Sequence, residues 1–240
     1  MPVGALLQAL VDLVLPASCA GCGESAQPLR YEVCADCARV VESLRAAPTR
    51  PDPAPDGLPA CVALGAYDGR LRELILGFKE RGRHRLARPL GALLAEAVAA
   101  TAAPGRPLLL LYVPDTAEAA RARHGDHMLR LARAAAQRLR EAGRQAGVAA
   151  PLRALPKADS AHLSSAQRAA GAAGAFVLRG GAVERARRAA PGSVTVLLDD
   201  IVTTGATLAA ASVLLDSAGL RVDACVALAA TRRYLPQRAI

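Results

Sequence analysis

Two adjacent carboxylates, Asp199 and Asp200, end the apolar run Val194-Thr-Val-Leu-Leu198, and Ile-Val-Thr203-Thr204-Gly205-Ala206-Thr207 follows directly. The apolar run reads as a buried strand. The small-residue turn opens straight into an alanine-rich helix, so its backbone N–H groups, from about Thr203 to Thr207, can gather around one phosphate. Gly205 permits close approach or a positive φ, and the threonine hydroxyls add donors. Carboxylates next door would repel that phosphate, so they must face something else, such as a sugar diol or a divalent metal. A ligand with a phosphate at one end and hydroxyls about a ribose-width away satisfies both halves. The plainer alternative is a strand–turn–helix whose acids only cap the helix. Two acids followed by a Thr-Thr-Gly turn favour the ligand. The segment is neither a Walker loop nor a dinucleotide fingerprint, because it has no Gly-Lys-Ser/Thr and no spaced glycine triplet.

The second cluster is Cys19-Ala-Gly-Cys22 and Cys34-Ala-Asp-Cys37, two CxxC pairs separated by 11 residues. This spacing matches a tetrahedral site of four thiolates, in which zinc stabilises a segment of about 30 residues too short to build its own core. Four protein ligands would leave no position open for catalysis. The alternatives are two disulfides or a redox-active CxxC, and neither suits a chain without a recognisable leader. Cys61 and Cys225 each stand in an apolar run and read as buried strand residues.

Smaller signals carry plain alternatives. His124 and His127, with Asp126, could share a metal; a polar cluster at a helix start, on the surface or beside an acceptor site, is the commoner reading. Lys79, Arg81, Arg83 and Arg85 could meet pyrophosphate or nucleic-acid phosphates, or form a solvated loop. Arg185, Arg187 and Arg188 read as an exposed face. Binding of single strands would call for aromatic platforms beside arginines, and Tyr31 is the nearest candidate.

The elements that must position these groups alternate. Strands are expected at 61–66, 108–113, 152–155, 176–178, 194–198 and 222–229, with helices at 71–79, 86–102, 125–142, 164–170 and 206–218. Ser164 would cap the fourth of these helices. Near-continuous apolar strands alternating with helices imply a mainly parallel sheet covered on both faces, with ligands at the carboxyl ends of its strands. A short helix is expected from Cys37 to about Ala47. Five prolines within the twelve residues 48–59 mark a semi-rigid linker. The expected organisation is therefore an N-terminal helix and four-cysteine module (1–47), a linker (48–59) and an α/β domain (60–240).

The whole composition bounds the reading. Of 240 residues, 52% are apolar, which excludes disorder for most of the chain. No apolar run reaches the roughly 20 residues of a spanning helix; residues 3–17 are interrupted by Gln8 and Asp12, stopped by Pro16, and lack the basic start of a secretory signal. Leu6, Leu10, Leu13 and Val14 share one helical face, expected to pack on a neighbouring domain rather than lipid. A soluble, cytoplasmic protein is expected. Its formal charge of +9, carried almost wholly by arginine, favours encounter with phosphates, nucleic acid or acidic headgroups.

With these residues in view, the stretch 194–207 resembles the phosphoribosyl pyrophosphate (PRPP) signature of type I phosphoribosyltransferases. Over essentially its whole length the chain resembles the ComF family of competence-associated phosphoribosyltransferase-like proteins, through the cysteine pairs, Tyr67-Asp-Gly69, Phe78-Lys79-Glu-Arg-Gly82 and the PRPP loop. The resemblance implies a type I phosphoribosyltransferase (Rossmann-like) α/β sheet preceded by a small zinc-ribbon-like module. It implies that Asp199 and Asp200 hold the ribose hydroxyls and act in catalysis, and that Thr203, Thr204, Gly205, Ala206 and Thr207 hold the 5-phosphate. Pro114, Asp115 and Thr116, with Lys79, would bind pyrophosphate. Magnesium would bridge pyrophosphate and ribose oxygens, and zinc would be structural. Arg121 and Arg123 keep the arginines of an Arg-x-Arg-Gly-aromatic-Asn-Gln run whose remainder is here His124-Gly-Asp-His127. Asp159, Leu163, Ser164 and Arg168 remain of a second run. These segments would form the cover and acceptor side. The implied setting is DNA uptake and natural transformation, with phosphoribosyl transfer to an unknown acceptor. The alternative is a non-catalytic accessory that binds single-stranded DNA beside other uptake proteins and keeps a regulatory or vestigial PRPP pocket.

Overall fold

The computed structural model describes residues 18–25, 28–156 and 174–231. The expected apolar face at Leu6–Val14, the helix capped by Ser164, and Arg168 lie outside the described residues. Helix α1 (Ala35–Glu42) follows the cysteine knuckles, and Cys34 at its N-cap accepts the Cys37 N–H. The chain then runs through β1 (Ala47–Thr49), β2 (Cys61–Ala66), α2 (Gly69–Glu80), a short 3-10 turn (His84–Leu86), α3 (Ala87–Ala99) and β3 (Leu108–Tyr112). Next come α4 (Ala117–Ala122), α5 (His127–Glu141), β4 (Ala146–Val148), β5 (Leu152–Ala154) and β6 (Phe176–Leu178). Helix α6 (Gly180–Ala189), β7 (Val194–Val202), α7 (Ala206–Ser217) and β8 (Ala224–Ala230) complete the described order.

Six strands form one sheet in the order β1-β2-β8-β7-β3-β4, parallel throughout except for the antiparallel edge strand β1. The fold is thus α/β with a mostly parallel sheet, compatible with a type I phosphoribosyltransferase-like architecture. Strands β3, β7 and β8 are buried along nearly their whole length, as leucine, valine and alanine runs must be when helices cover both faces. One face carries α2, α3 and α5, with Leu74, Leu90 and Leu131 among its buried residues. The other carries α6 and α7, through Val183, Leu208 and Leu215. Helices α3 and α5 approach closely because Gly91 has no side chain; a Cβ there would stand 2.4 Å from that of Ala134.

Four local features differ from expectation. Pro48 and Thr49 belong to β1, which is compatible with proline because β1 is an edge strand with one side unpaired. The expected 125–142 helix begins at His127, and the separate α4 precedes it, capped by the Thr116 side chain on the Ala119 N–H. Strands β5 and β6 pair antiparallel as a separate two-stranded sheet. Strand β4 and helix α6 were not anticipated as elements: β4 is only three residues long, and α6 buries only Ala182, Val183 and Ala186, so few large apolar residues mark it.

Candidate active site

Strands β3 and β7 are neighbours in register, Tyr112 opposite Leu198. The crossover leaving β3 passes through α5 on one face, and that leaving β7 passes through α7 on the other. The carboxyl ends of these two strands therefore flank a topological switch point, where the fold opens a crevice. Residues 114–116 follow β3, and Asp199 and Asp200 lie near the end of β7.

Because side chains alternate along a strand, the two acids take opposite faces. Asp199 is half-buried and lines a shallow pocket with Ile201, Val202, Thr203, Gly205, Thr207 and Leu208. Asp200 is buried and turns toward α2 and α5, where its Oδ2 accepts from Lys79 Nζ at 2.5 Å and lies 3.2 Å from His127 Nε2. His127 Nδ1 is 2.6 Å from Asp115 Oδ2, and the Asp115 Oδ1 accepts from Arg123 at 2.7 Å. Arg123 in turn donates to Glu80 at 2.9 Å. Asp126 holds the corner: it caps α5 through the Leu129 N–H and accepts the Asp115 N–H at 3.1 Å. One chain of alternating charge, Glu80–Arg123–Asp115–His127–Asp200–Lys79, thus joins α2, the β3 turn, the start of α5 and the end of β7.

The charges fix one another's protonation. Burial disfavours an imidazolium, but hydrogen bonds and charge from Asp115 and Asp200 outweigh it and raise the His127 pKa to about 9. Both ring nitrogens therefore donate at neutral pH. Burial would likewise raise Asp200, yet His127 and Lys79 hold it far below the usual carboxylate range. Asp115 is lowered in the same way, against burial, by His127 and Arg123. Asp199 moves in the opposite direction, up to about 8, through burial and the neighbouring Asp200 charge.

Beside this chain lies a cavity of about 240 Å³ lined by Lys79, Glu80, Gly82, His84, Ala122, Arg123 and His124. Arg130 of α5 props its wall, donating to His84 Nδ1 at 2.6 Å and to the His124 carbonyl. Burial and the adjacent Arg130 lower the His84 pKa. The cavity is predominantly cationic and suits an anion. Across the acids, the 203–207 turn closes the Asp199 pocket. Gly205 has φ +74°, and a Cβ there would meet Leu58 at 2.9 Å and Pro51 at 3.0 Å. Thr203, Thr204 and Thr207 are exposed, and Thr204 Oγ1 accepts the Ala206 N–H at 3.4 Å. The N-cap residue Gly205 has no side chain to cap α7, so beyond the Ala206 N–H the first turn has no side-chain partner among the described residues.

The structure separates the two histidines that the sequence paired. His124 is exposed in the cavity wall at φ +55°, whereas His127 is buried. Asp115, Asp126 and His127 do bring ligand atoms within 4.8 Å of one another. The trio is joined by hydrogen bonds: Asp115 Oδ2 faces His127 Nδ1, and Asp126 accepts the Asp115 N–H. Arg123 joins the chain, while Arg121 is exposed on α4. Tyr31 is half-buried, with the guanidinium groups of Arg30 and Arg88 5.6 and 5.2 Å from its ring centre. The sequence reading gave no role to Glu80, His84 or Arg130, and none of these carries a motif.

The four thiols of Cys19, Cys22, Cys34 and Cys37 lie within 4.8 Å of one another and could hold a metal such as zinc. The Cys22–Cys34 Sγ separation of 3.9 Å is close to the edge of a tetrahedron with zinc–sulfur bonds of about 2.3 Å. The Gly21 and Cys34 N–H groups point at Cys19 Sγ from 3.4 and 3.3 Å. Burial opposes ionisation of Cys19, but these backbone donors prevail and bring its pKa to about 6. Cys61 and Cys225 are buried and paired in register across β2 and β8. No helix among the described residues is long and apolar enough to cross a membrane.

A scan against protein-family models finds no match, and neither does a search of curated proteins.

Proposed function

We propose that the protein binds PRPP with magnesium at the carboxyl ends of β3 and β7 and transfers its phosphoribosyl group to an acceptor. One observation carries this reading. Two separate recesses flank the acid pair: the α7 turn pocket is lined by Asp199, and the second cavity is lined by Arg123 and by Lys79, the partner of Asp200. A ligand with a phosphate at each end and a diol between them matches that order of charges.

In this reading the 203–207 turn takes the 5-phosphate through backbone N–H groups and threonine hydroxyls. Asp199 faces the ribose hydroxyls. Asp200, fixed by Lys79 and His127, supports them from behind. Lys79 and Arg123, with the 114–116 turn, lie toward the pyrophosphate. As the C1–O bond breaks, negative charge grows on pyrophosphate, and cations already held in place stabilise it without reorganising. The donor set suits magnesium carried largely by the ligand's own oxygens, since Asp115 and Asp200 are committed to cations and, among the described residues, Asp199 forms no ion pair. When bound there, magnesium would supply positive charge to the leaving pyrophosphate. The resemblance to the ComF family attaches this activity to DNA uptake.

Calorimetric titration with PRPP and magnesium tests the reading, beside the Asp199→Asn/Asp200→Asn double variant. Saturable binding by the wild type that is lost in the variant is expected. Absence of heat and of any thermal shift with the wild type would overturn it.

A further inference from the structure

We propose that His127 is a positioning residue for this site: its ring, clamped between Asp115 of the β3 turn and Asp200 of β7, sets both carboxylates and ties the pyrophosphate end to the ribose end. The inference rests on the PRPP reading and assigns His127 a part in it.

The geometry is that of a rigid bridge. His127 is 6% exposed and lies behind the two carboxylates, so it acts through them rather than on ligand. Its Nδ1 is 2.6 Å from Asp115 Oδ2 and its Nε2 is 3.2 Å from Asp200 Oδ2. The same Asp115 oxygen accepts the His127 backbone N–H at 3.0 Å, so ring and backbone fix that carboxylate together. The Phe78 ring, 6.3 Å away between centroids, backs the imidazole from α2. A flexible amide cannot reproduce this fixed angle between two donors. A neutral imidazole cannot either, because one nitrogen would turn a lone pair toward a carboxylate.

The bridge therefore depends on the ring's charge, which many groups influence. Asp200 faces it from β7 and Asp115 from the turn after β3, while Lys79 of α2 reaches the same Asp200 oxygen. Arg123 follows α4, and Asp126 caps the helix of His127 itself. Loss of the ring proton breaks one of the two ring hydrogen bonds, so that Asp115, still held by Arg123, and Asp200, still held by Lys79, are no longer tied to each other through the ring. Coupling between the two ends of the ligand site should fail at the same point.

Two measurements test this. The first needs no ligand: long-range ¹H–¹⁵N spectra of the four histidines. His127 is expected to be protonated on both nitrogens at pH 7.5 and to lose that state near pH 9, and Asp200→Asn should bring its titration down toward the ordinary value of about 6.5. A neutral single tautomer at pH 7.5 would overturn the bridge, and this readout stands even if substitution at 127 prevents folding. The second is calorimetry with PRPP and magnesium between pH 7 and 9.5. His127→Gln should weaken binding roughly ten- to a hundredfold at pH 7, the scale of one charge-assisted hydrogen bond. The wild type should approach the variant as pH passes about 9. Equal affinities at pH 7 with the same pH dependence would overturn the positioning role while leaving the functional reading intact. No binding by the wild type would overturn both.

Discussion

Asp199 and Asp200 are adjacent in sequence, yet their substitution should have unlike consequences because alternation gives them different surroundings. Replacing Asp200 by Asn leaves Lys79 and His127 facing a neutral group in a buried site, a situation that costs about 3–5 kcal/mol. Replacing Asp199 by Asn should leave stability unchanged or raise it at pH 7, because burial and Asp200 disfavour its charge in the folded state and Asn carries none. Urea unfolding of the two single variants at pH 7 checks this contrast; equal losses would contradict it. His127 adds a pH dependence whose sign is fixed. Its folded pKa of about 9 lies above the ordinary 6.5, so its stabilising contribution is complete below pH 6.5 and disappears as pH rises through 9. The upper bound is about 3 kcal/mol, from the size of that shift. The stability difference between wild type and His127→Gln should therefore be flat from pH 5.5 to 6.5 and shrink above. A difference that grows with pH would contradict the protonated bridge.

The turn between β7 and α7 shows both the reach and the limit of reading elements from sequence. Apolar continuity placed β3 and β7, and the small-residue turn placed the start of α7 at Ala206, because a buried parallel strand and a helix entry each leave a one-dimensional signature. What the pattern lacked was the partner of each element. Strand β1 is masked by Pro48, which an edge position tolerates, and α4, six residues with none of them buried, falls between the expected strand 108–113 and the expected helix 125–142. His127, read as a metal ligand or as part of a polar cluster on the surface or beside an acceptor site, occupies the buried face of α5 with Met128, Leu131, Ala132 and Ala135. That periodicity was visible, but a histidine at a helix start resembles a solvated group until Asp115 and Asp200 arrive from two distant strands. Gly205 is a position where turn and tertiary contact coincide. Gly205→Ala would put a Cβ at φ +74° and against Leu58 and Pro51. The expected cost is about 1–3 kcal/mol, with weaker PRPP binding, because strain and overpacking both act where the phosphate N–H groups are aimed. Calorimetry and thermal unfolding of the variant check this; unchanged binding would mean that the turn does not hold the phosphate.

Across the whole molecule, the cysteine module and the candidate site share α2. Cys19, Ala20, Val33, Cys34 and Cys37 belong to the same buried cluster as Leu71, Leu74 and Phe78 of that helix. Arg83, just beyond its end, donates to the Ser18 carbonyl at 2.7 Å and to its hydroxyl at 3.1 Å. Lys79, between Phe78 and Arg83 in the chain, reaches Asp200 on the opposite side. Four thiolates brought together without a metal would repel one another, so zinc in the module is expected to fix one wall of α2 and, through it, the placement of Lys79. Removing zinc with a chelator in reducing buffer should then lower the melting temperature of the entire chain in a single transition, on the order of 10 °C if several kcal/mol are lost. It should also weaken PRPP binding although none of the four module cysteines lines either pocket. Differential scanning calorimetry, with metal content measured on the same sample, decides the matter. A separate low-temperature transition, with the main melt and the PRPP affinity unchanged, would mean that the module folds on α2 without supporting it.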